Sequence, residues 1–189
     1  MQYLFMALLA LGIVALDQLS KAWVVNHISS SMCRDVEACA GHIATLAKHY
    51  SITEQEMAAL PHSVEAVPGV FKLSFIHNTG AAWSSFEGMI WLFVLIFVVL
   101  TASIIWEFSK KRWGFTMSER WMIAAIYGGG LGNMIDRIRL GFVVDMIELD
   151  FMNFPVFNVA DCFITCGCIL LMIHLVFFNK KFWKDEKKK

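Results

Sequence analysis

The sequence predicts a mainly α integral membrane protein: four transmembrane helices, a partly helical first outer loop and a small extracytoplasmic β structure. Three observations carry that reading. Of the 189 residues, 58% are hydrophobic and only 17% charged, with a mean hydropathy of +0.59; a soluble domain carries about 45–50% apolar and about 25% charged residues. Four segments, about 3–25, 89–108, 121–138 and 156–178, approach the roughly 20 mostly apolar residues that a spanning helix requires. Lys and Arg are distributed unevenly over the stretches between them. The 16 basic residues cancel the 16 acidic ones, so charge gives no reason to expect a nucleic-acid partner. Long apolar runs and only 3 prolines exclude disorder and collagen-like repeats. The expectation is a single membrane domain over residues 1–189.

The first segment has no basic leader and no A-x-A cleavage site, and it carries Asp17 and Lys21 in its second half, so it reads as a retained helix rather than a secretory signal. Orientation follows from the basic residues. The link between the second and third spans holds Lys110, Lys111, Arg112 and Arg120, and the tail NKKFWKDEKKK holds six lysines. The first loop, residues 26–75, has Arg34, Lys48 and Lys72 against five acidic residues. Both termini are therefore expected in the cytoplasm, with the lysine tail as an anchor at the anionic inner leaflet.

Within the outer loop, Ser51-x-x-Glu54 and Thr53-x-x-Glu56 both fit a capping box, and Pro61 stops the short helix that follows. Val36, Ile43, Leu46 and Ala47 give a second short amphipathic helix upstream. The β-rich runs VFKLSFI (70–76) and FVVDMIELDF (142–151) predict two strands, which must lean on the membrane surface or the helices. Cys33 and Cys39 stand in the oxidising outer loop, where a disulfide requires a turn between them. Cys162, Cys166 and Cys168 lack CxxC spacing and read as small buried packing residues.

A charge at the bilayer centre costs about 2.5–3.5 kcal/mol on insertion scales, so ionisable residues within spans mark function. Here they are Asp17, Lys21, Asp136, Arg137, Asp145 and Asp161. On the topology above, all of them fall at the outer face, together with HNTGAAW before the second span. Asp17 and Lys21 stand at i,i+4, either a self-neutralising pair or support for a site. Adjacent Asp136 and Arg137 point in different directions and need different partners. GGGLG (128–132) reads as a close helix-packing surface, since no strand precedes it and no P-loop lysine follows. Asn78-Thr79-Gly80 reads as a turn. Asp145 and Asp161 have no cation beside them in sequence, and two acids at one depth can share a proton. Such a dyad lets one carboxylate activate water while the other protonates a carbonyl.

DQLSK (17–21), NTGAAWS (78–84), GGGLGNMIDR (128–137), VVDM (143–146) and FNVAD (157–161) occur in that order. Together they resemble the signature of the bacterial lipoprotein signal peptidases (signal peptidase II), over nearly the whole chain. The resemblance implies an aspartic endopeptidase of the bacterial plasma (inner) membrane. It would remove the signal peptides of diacylglyceryl-modified prolipoproteins by cutting before the lipidated cysteine at the outer leaflet. It implies Asp145 and Asp161 as catalytic dyad, and Asp17, Lys21, Asn78, Gly80, Asn133, Asp136, Arg137 and Asn158 as the supporting and substrate-contacting shell. No metal or other cofactor is implied; the partners are the lipoprotein precursor and membrane lipid, and the protein is expected to be a monomer. The family's outer β-cradle corresponds to the two strands. Residues 28–67 exceed the usual family loop, which raises a gating or partner-binding role, and Cys162 follows the second Asp where Ser, Thr or Ala is usual.

Rival readings fare worse. An ion-coupled transporter needs acids along a path rather than at one face. A thiol oxidoreductase needs CxxC. A zinc protease needs HExxH, and GLGN lacks the aspartate of a GxGD protease.

Overall fold

The structure, a computed structural model, describes residues 2–29, 36–80, 89–110 and 114–179, apart from the side chains of 36–40 and 54. The element order is α1 (Gln2–His27), α2 (Val36–Tyr50), α3 (Glu54–Ala58), β1 (Ser63–Val67), β2 (Phe71–Asn78), α4 (Ile90–Lys110), α5 (Met117–Leu140), β3 (Val143–Leu149) and α6 (Val159–Phe177). Among the described residues three helices, α1, α4 and α6, are long and apolar enough to cross a membrane. Their apolar side chains remain outward: Trp91 is 82% exposed, and Leu95, Val98, Val99, Leu170 and Met172 are exposed with it. A surface of that kind is stable against lipid and not against water. The helix expected as the third span is present as α5, but Glu119, Arg120, Asp136, Arg137 and Arg139 leave it outside that group.

The chain divides into two compact units. In the first (residues 2–15, 91–134 and 160–179), α5 opens on a capping box. The Thr116 backbone N–H donates to the Glu119 carboxylate at 2.6 Å, and the Glu119 N–H donates to Thr116 Oγ1 at 3.4 Å. Consecutive residues on a helix turn by about 100°, and the glycine run uses that turn to meet three neighbours. A Cβ at Gly128 would lie 2.9 Å from the Ala10 carbonyl oxygen of α1. At Gly129 it would lie 2.5 Å from that of Ala160 in α6, and at Gly130 3.2 Å from the Phe97 ring of α4. The close-packing reading of GGGLG therefore holds, because a side chain would push the backbones apart.

The second unit (residues 16–29, 36–80, 89–90 and 135–159) contains an antiparallel sheet in the order β1-β2-β3. Two strands were expected and three form. SVEAV carries no buried alternation, all five residues being exposed, so β1 gave no period-2 signal and exists as an edge strand on β2. In the loop before it, Thr53 rather than Ser51 caps α3: its side chain accepts from the Glu56 N–H, and Glu56 reaches back to the Thr53 N–H. Ile43, Leu46, Tyr50, Ile52 and Met57 of the loop pack with Val24, Val25, Ile28, Phe75, Phe142, Val144 and Met146 in one apolar core. Gly141, at φ +83°, ends α5 in the left-handed region that glycine adopts freely, and turns the chain into β3.

Cys162 is half-buried and Cys166 and Cys168 are exposed, all with free thiols. Cys33, the side chain of Cys39, the residues AAWSSFEG (81–88), Lys111, Arg112 and the lysine tail from 180 onward lie outside the described residues.

Candidate active site

β2 and β3 pair with Ile76 opposite Asp145, His77 opposite Val144 and Asn78 opposite Val143. Successive side chains of a strand face opposite ways, so Phe75, His77, Val144 and Met146 turn to the apolar core while Asn78 and Asp145 turn to the other face. Asp145 is 2% exposed. Asn78 Nδ2 donates to its Oδ2 at 2.8 Å and Asn158 Nδ2 to its Oδ1 at 2.7 Å. The orientation of the Asn78 amide is fixed by its other end, where Oδ1 accepts the Gly80 backbone N–H at 3.0 Å in the expected turn. Arg137 Nη2 then donates to the Gly80 carbonyl at 2.8 Å. A relay thus runs from Arg137 through Gly80 and Asn78 to Asp145.

Below that relay lies a fully buried charge cluster. Lys21 Nζ is 2.9 Å from Asp17 Oδ2 and 2.8 Å from Asp136 Oδ2. The pair seen in sequence is therefore a triad, and Asp136 and Arg137 do take different partners. Asp136 Oδ2 also accepts the backbone N–H of Val144 at 3.2 Å, which ties the cluster to the residue before Asp145. Gln18, which the sequence analysis did not single out, donates to Asp136 Oδ1 at 2.9 Å and to Asp17 Oδ2 at 3.2 Å. Arg139 Nη1 donates to Gln18 Oε1 at 3.2 Å. The position of Gln18 inside DQLSK, between the two charges, was the available signal.

These eight residues, Asp17, Lys21, Asn78, Gly80, Asp136, Arg137, Asp145 and Asn158, all belong to the second unit. Asn133 and Asp161 belong to the first, where Asn133 Nδ2 donates to Asp161 Oδ1 at 2.7 Å.

His77 is 4% exposed, and neither ring nitrogen has a hydrogen-bond partner among the described residues. It packs in a cluster of rings, with centroids 4.4 Å from Phe142, 4.7 Å from Phe75 and 5.1 Å from His42 of α2. Burial, reinforced by His42, pushes its imidazole down to about 4. Tyr50, whose ring lies 5.8 Å from the Arg139 guanidinium, has its phenol pushed up by burial and by Asp136, against the pull of Arg139.

One expectation is corrected. Buried polar groups are not confined to the outer motifs, because the first unit holds a second cluster at the start of α1 and α5 and the end of α6. Glu119 is fully buried, 2.9 Å from His174 Nδ1 and accepting from Asn179 Nδ2 at 2.8 Å. Arg120 donates to the Tyr3 hydroxyl at 3.0 Å and covers the Phe108 ring at 5.6 Å. Glu107 is buried as well. Arg120 stands in sequence within the basic link between the second and third spans, and Glu107 and Glu119 each lie near a helix end where exposure to water is the default.

The profile of the Signal peptidase (SPase) II family matches residues 9–177. The chain belongs to the signal peptidase II family. A lipoprotein signal peptidase of Streptococcus agalactiae serotype Ia is 34% identical over 189 aligned residues, covering 98% of this chain and 96% of the relative. One of Streptococcus pyogenes serotype M2 is 36% identical over 174, covering 92% and 90%. Two bacterial membrane enzymes solved by the in meso method share the fold. The one at 2.3 Å resolution has a TM-score of 0.67 at 26% identity over 98% of this chain and 93% of its own. The one at 1.9 Å has 0.69 at 25%, over 93% and 94%. As a signal peptidase II the protein is a peptidase of a bacterial membrane that removes signal peptides from prolipoproteins.

Proposed function

We propose that the protein is an aspartic endopeptidase that cuts diacylglyceryl-modified prolipoproteins immediately before the lipidated cysteine, with Asp145 and Asp161 as the catalytic carboxylates. The observation that carries this reading is the setting of Asp145: a buried acid in an apolar strand, accepting an amide N–H on each oxygen from Asn78 and Asn158. Each amide nitrogen donates to one of those oxygens, so the carboxylate is held in place by neutral donors that favour its ionised form, the form that takes a proton from water. Asp161 carries the same kind of support from Asn133. One acid activates water and the other protonates the scissile carbonyl, and their roles exchange as the intermediate collapses.

The remaining motif residues serve this pair. The Lys21 triad anchors the strand at Val144, and Arg137 and Gly80 orient Asn78. On this reading the chain is one membrane domain with four spans, α5 being the third. It is a monomer of the inner membrane with both termini in the cytoplasm and the reacting groups at the outer face, where the diacylglyceryl group stays in the leaflet.

The test uses purified protein in lipid with a diacylglyceryl-modified prolipoprotein, with and without a chelator. Cleavage before the lipidated cysteine should persist in the chelator, and Asp145→Asn or Asp161→Asn should each lower it by more than about 100-fold without unfolding the protein. Cleavage that survives both substitutions overturns the site. Folded wild type that never cuts overturns the activity.

A further inference from the structure

The long first loop invited a gating or partner-binding role, yet among the described side chains of its main helix, residues 41–50, the large apolar ones turn inside the protein. Ile43, Leu46 and Tyr50 of α2 pack against the core that backs β2 and β3, and the exposed residues within 41–50 are small or polar: Gly41, Ala44, Lys48 and His49. Two further contacts reach toward Asp145 from behind. The His42 ring lies 4.8 Å from Phe142 and 5.1 Å from His77, the residue before Asn78. The Tyr50 ring lies under Arg139, from which hydrogen bonds run through Gln18 and Asp136 to the backbone N–H of Val144, the residue before Asp145. Each contact therefore ends one residue from an atom of the Asn78–Asp145 hydrogen bond, one through β2 and one through β3.

We propose that α2 is a built-in buttress of the strand pair that carries Asp145, with His42 and Tyr50 as positioning residues for the peptidase reaction. The inference rests on the assignment of Asp145 to catalysis made above. The physical argument is one of tolerance. Displacing a reacting group by about 1 Å costs up to about 100-fold in rate, and an overlap of only three residue pairs between β2 and β3 beyond the bulge at Leu73/Ile76 is a short lever on which to hold a carboxylate. Rings packed edge-on or tilted around His77 and a cation seated on Tyr50 restrain that lever from the face opposite the chemistry. Neither side chain needs to touch substrate.

The test compares full-length wild type in lipid with His42→Ala, Tyr50→Ala, and the ring-preserving His42→Phe and Tyr50→Phe. Two readouts are taken: prolipoprotein cleavage and amide hydrogen exchange over 143–149. Each alanine variant should lose about tenfold in kcat with KM within about twofold, and each phenylalanine variant should return to within about twofold of wild type. Exchange at 143–149 should quicken in the alanine variants while that of α4 and α6 stays unchanged. If an alanine variant fails to fold, His42→Leu and Tyr50→Leu retain the apolar bulk without the ring and should shift both readouts the same way. A rise in KM at unchanged kcat overturns the proposal, because α2 then meets substrate; unchanged kcat with unchanged exchange overturns it too. If wild type cuts nothing, the catalytic assignment fails, and the exchange readout alone still upholds or overturns the buttress.

Discussion

Around Lys21, two buried carboxylates are bound to a cation; at Asp145, in the same unit, a buried carboxylate is bound by two neutral amides. A third buried titratable group, His77, has rings about it and no hydrogen bond to either nitrogen among the described residues. The three treatments separate by consequence. Opposite charges in a low-dielectric interior lock one another, and removal of one partner leaves an uncompensated charge. Amide donors orient an acid without a counter-charge. Rings alone hold a histidine only while it is neutral.

The first way to break this comparison is Lys21→Met. It leaves Asp17 and Asp136 without the cation between them and should cost about 3–5 kcal/mol, read as a lowered unfolding midpoint in detergent. The double variant Asp17→Asn/Asp136→Asn, made on the methionine background, should recover part of that loss. A Lys21→Met protein as stable as wild type would mean that the cluster is not a structural lock. The second is pH. The folded-state value of His77, about 4, lies below its ordinary 6.5, so the unfolded chain binds the proton first. The contribution is complete above pH 6.5 and is lost progressively as pH falls to about 4, by about 3 kcal/mol in all. His77→Phe should flatten the stability profile across that window, and an unchanged profile would dismiss the histidine as its source.

The smallest expected effect sharpens a contrast inside the other unit, where the glycine run of α5 packs closely on three neighbours. Gly129→Ala should cost about 1–3 kcal/mol, since the new methyl meets the Ala160 backbone at 2.5 Å. Gly130→Ala should cost less, because the Phe97 ring it meets at 3.2 Å can turn. Equal stabilities for the two variants would show that backbone proximity is not the controlling contact.

The apolar helices, β2, β3 and the short loop helices were legible because each carries a hydrophobic period or a capping pattern on its own. The motif residues were legible as a set, and Lys21 with Asp17 was recognisable from spacing alone. What could not be read was pairing across long sequence separations: that Asp136, more than a hundred residues away, completes the Lys21 cluster, or that His42 of the loop meets His77. β1 escaped because an edge strand with no buried face leaves no pattern. Glu107 and Glu119 escaped for the opposite reason: an acid at a helix end looks solvated until the partners that bury it are known, and His174 and Asn179 lie far along the chain.

The composition of α5 has a consequence for how the protein is made. Its charged ends and glycine centre give lipid little to hold, and each ionisable group near a bilayer centre carries a cost on insertion scales of about 2.5–3.5 kcal/mol. Chains emerge from the ribosome N-terminus first, so α5 leaves it after α1 and α4 and before α6. At that moment Gly128 and Gly130 already have their neighbours, while Gly129 faces no backbone and Glu119 has neither His174 nor Asn179. On the four-span reading, α5 is retained in the bilayer by helices made before it and sealed there by the one made after it, so synthesis of α6 is the step that turns a loosely inserted nascent chain into a finished enzyme.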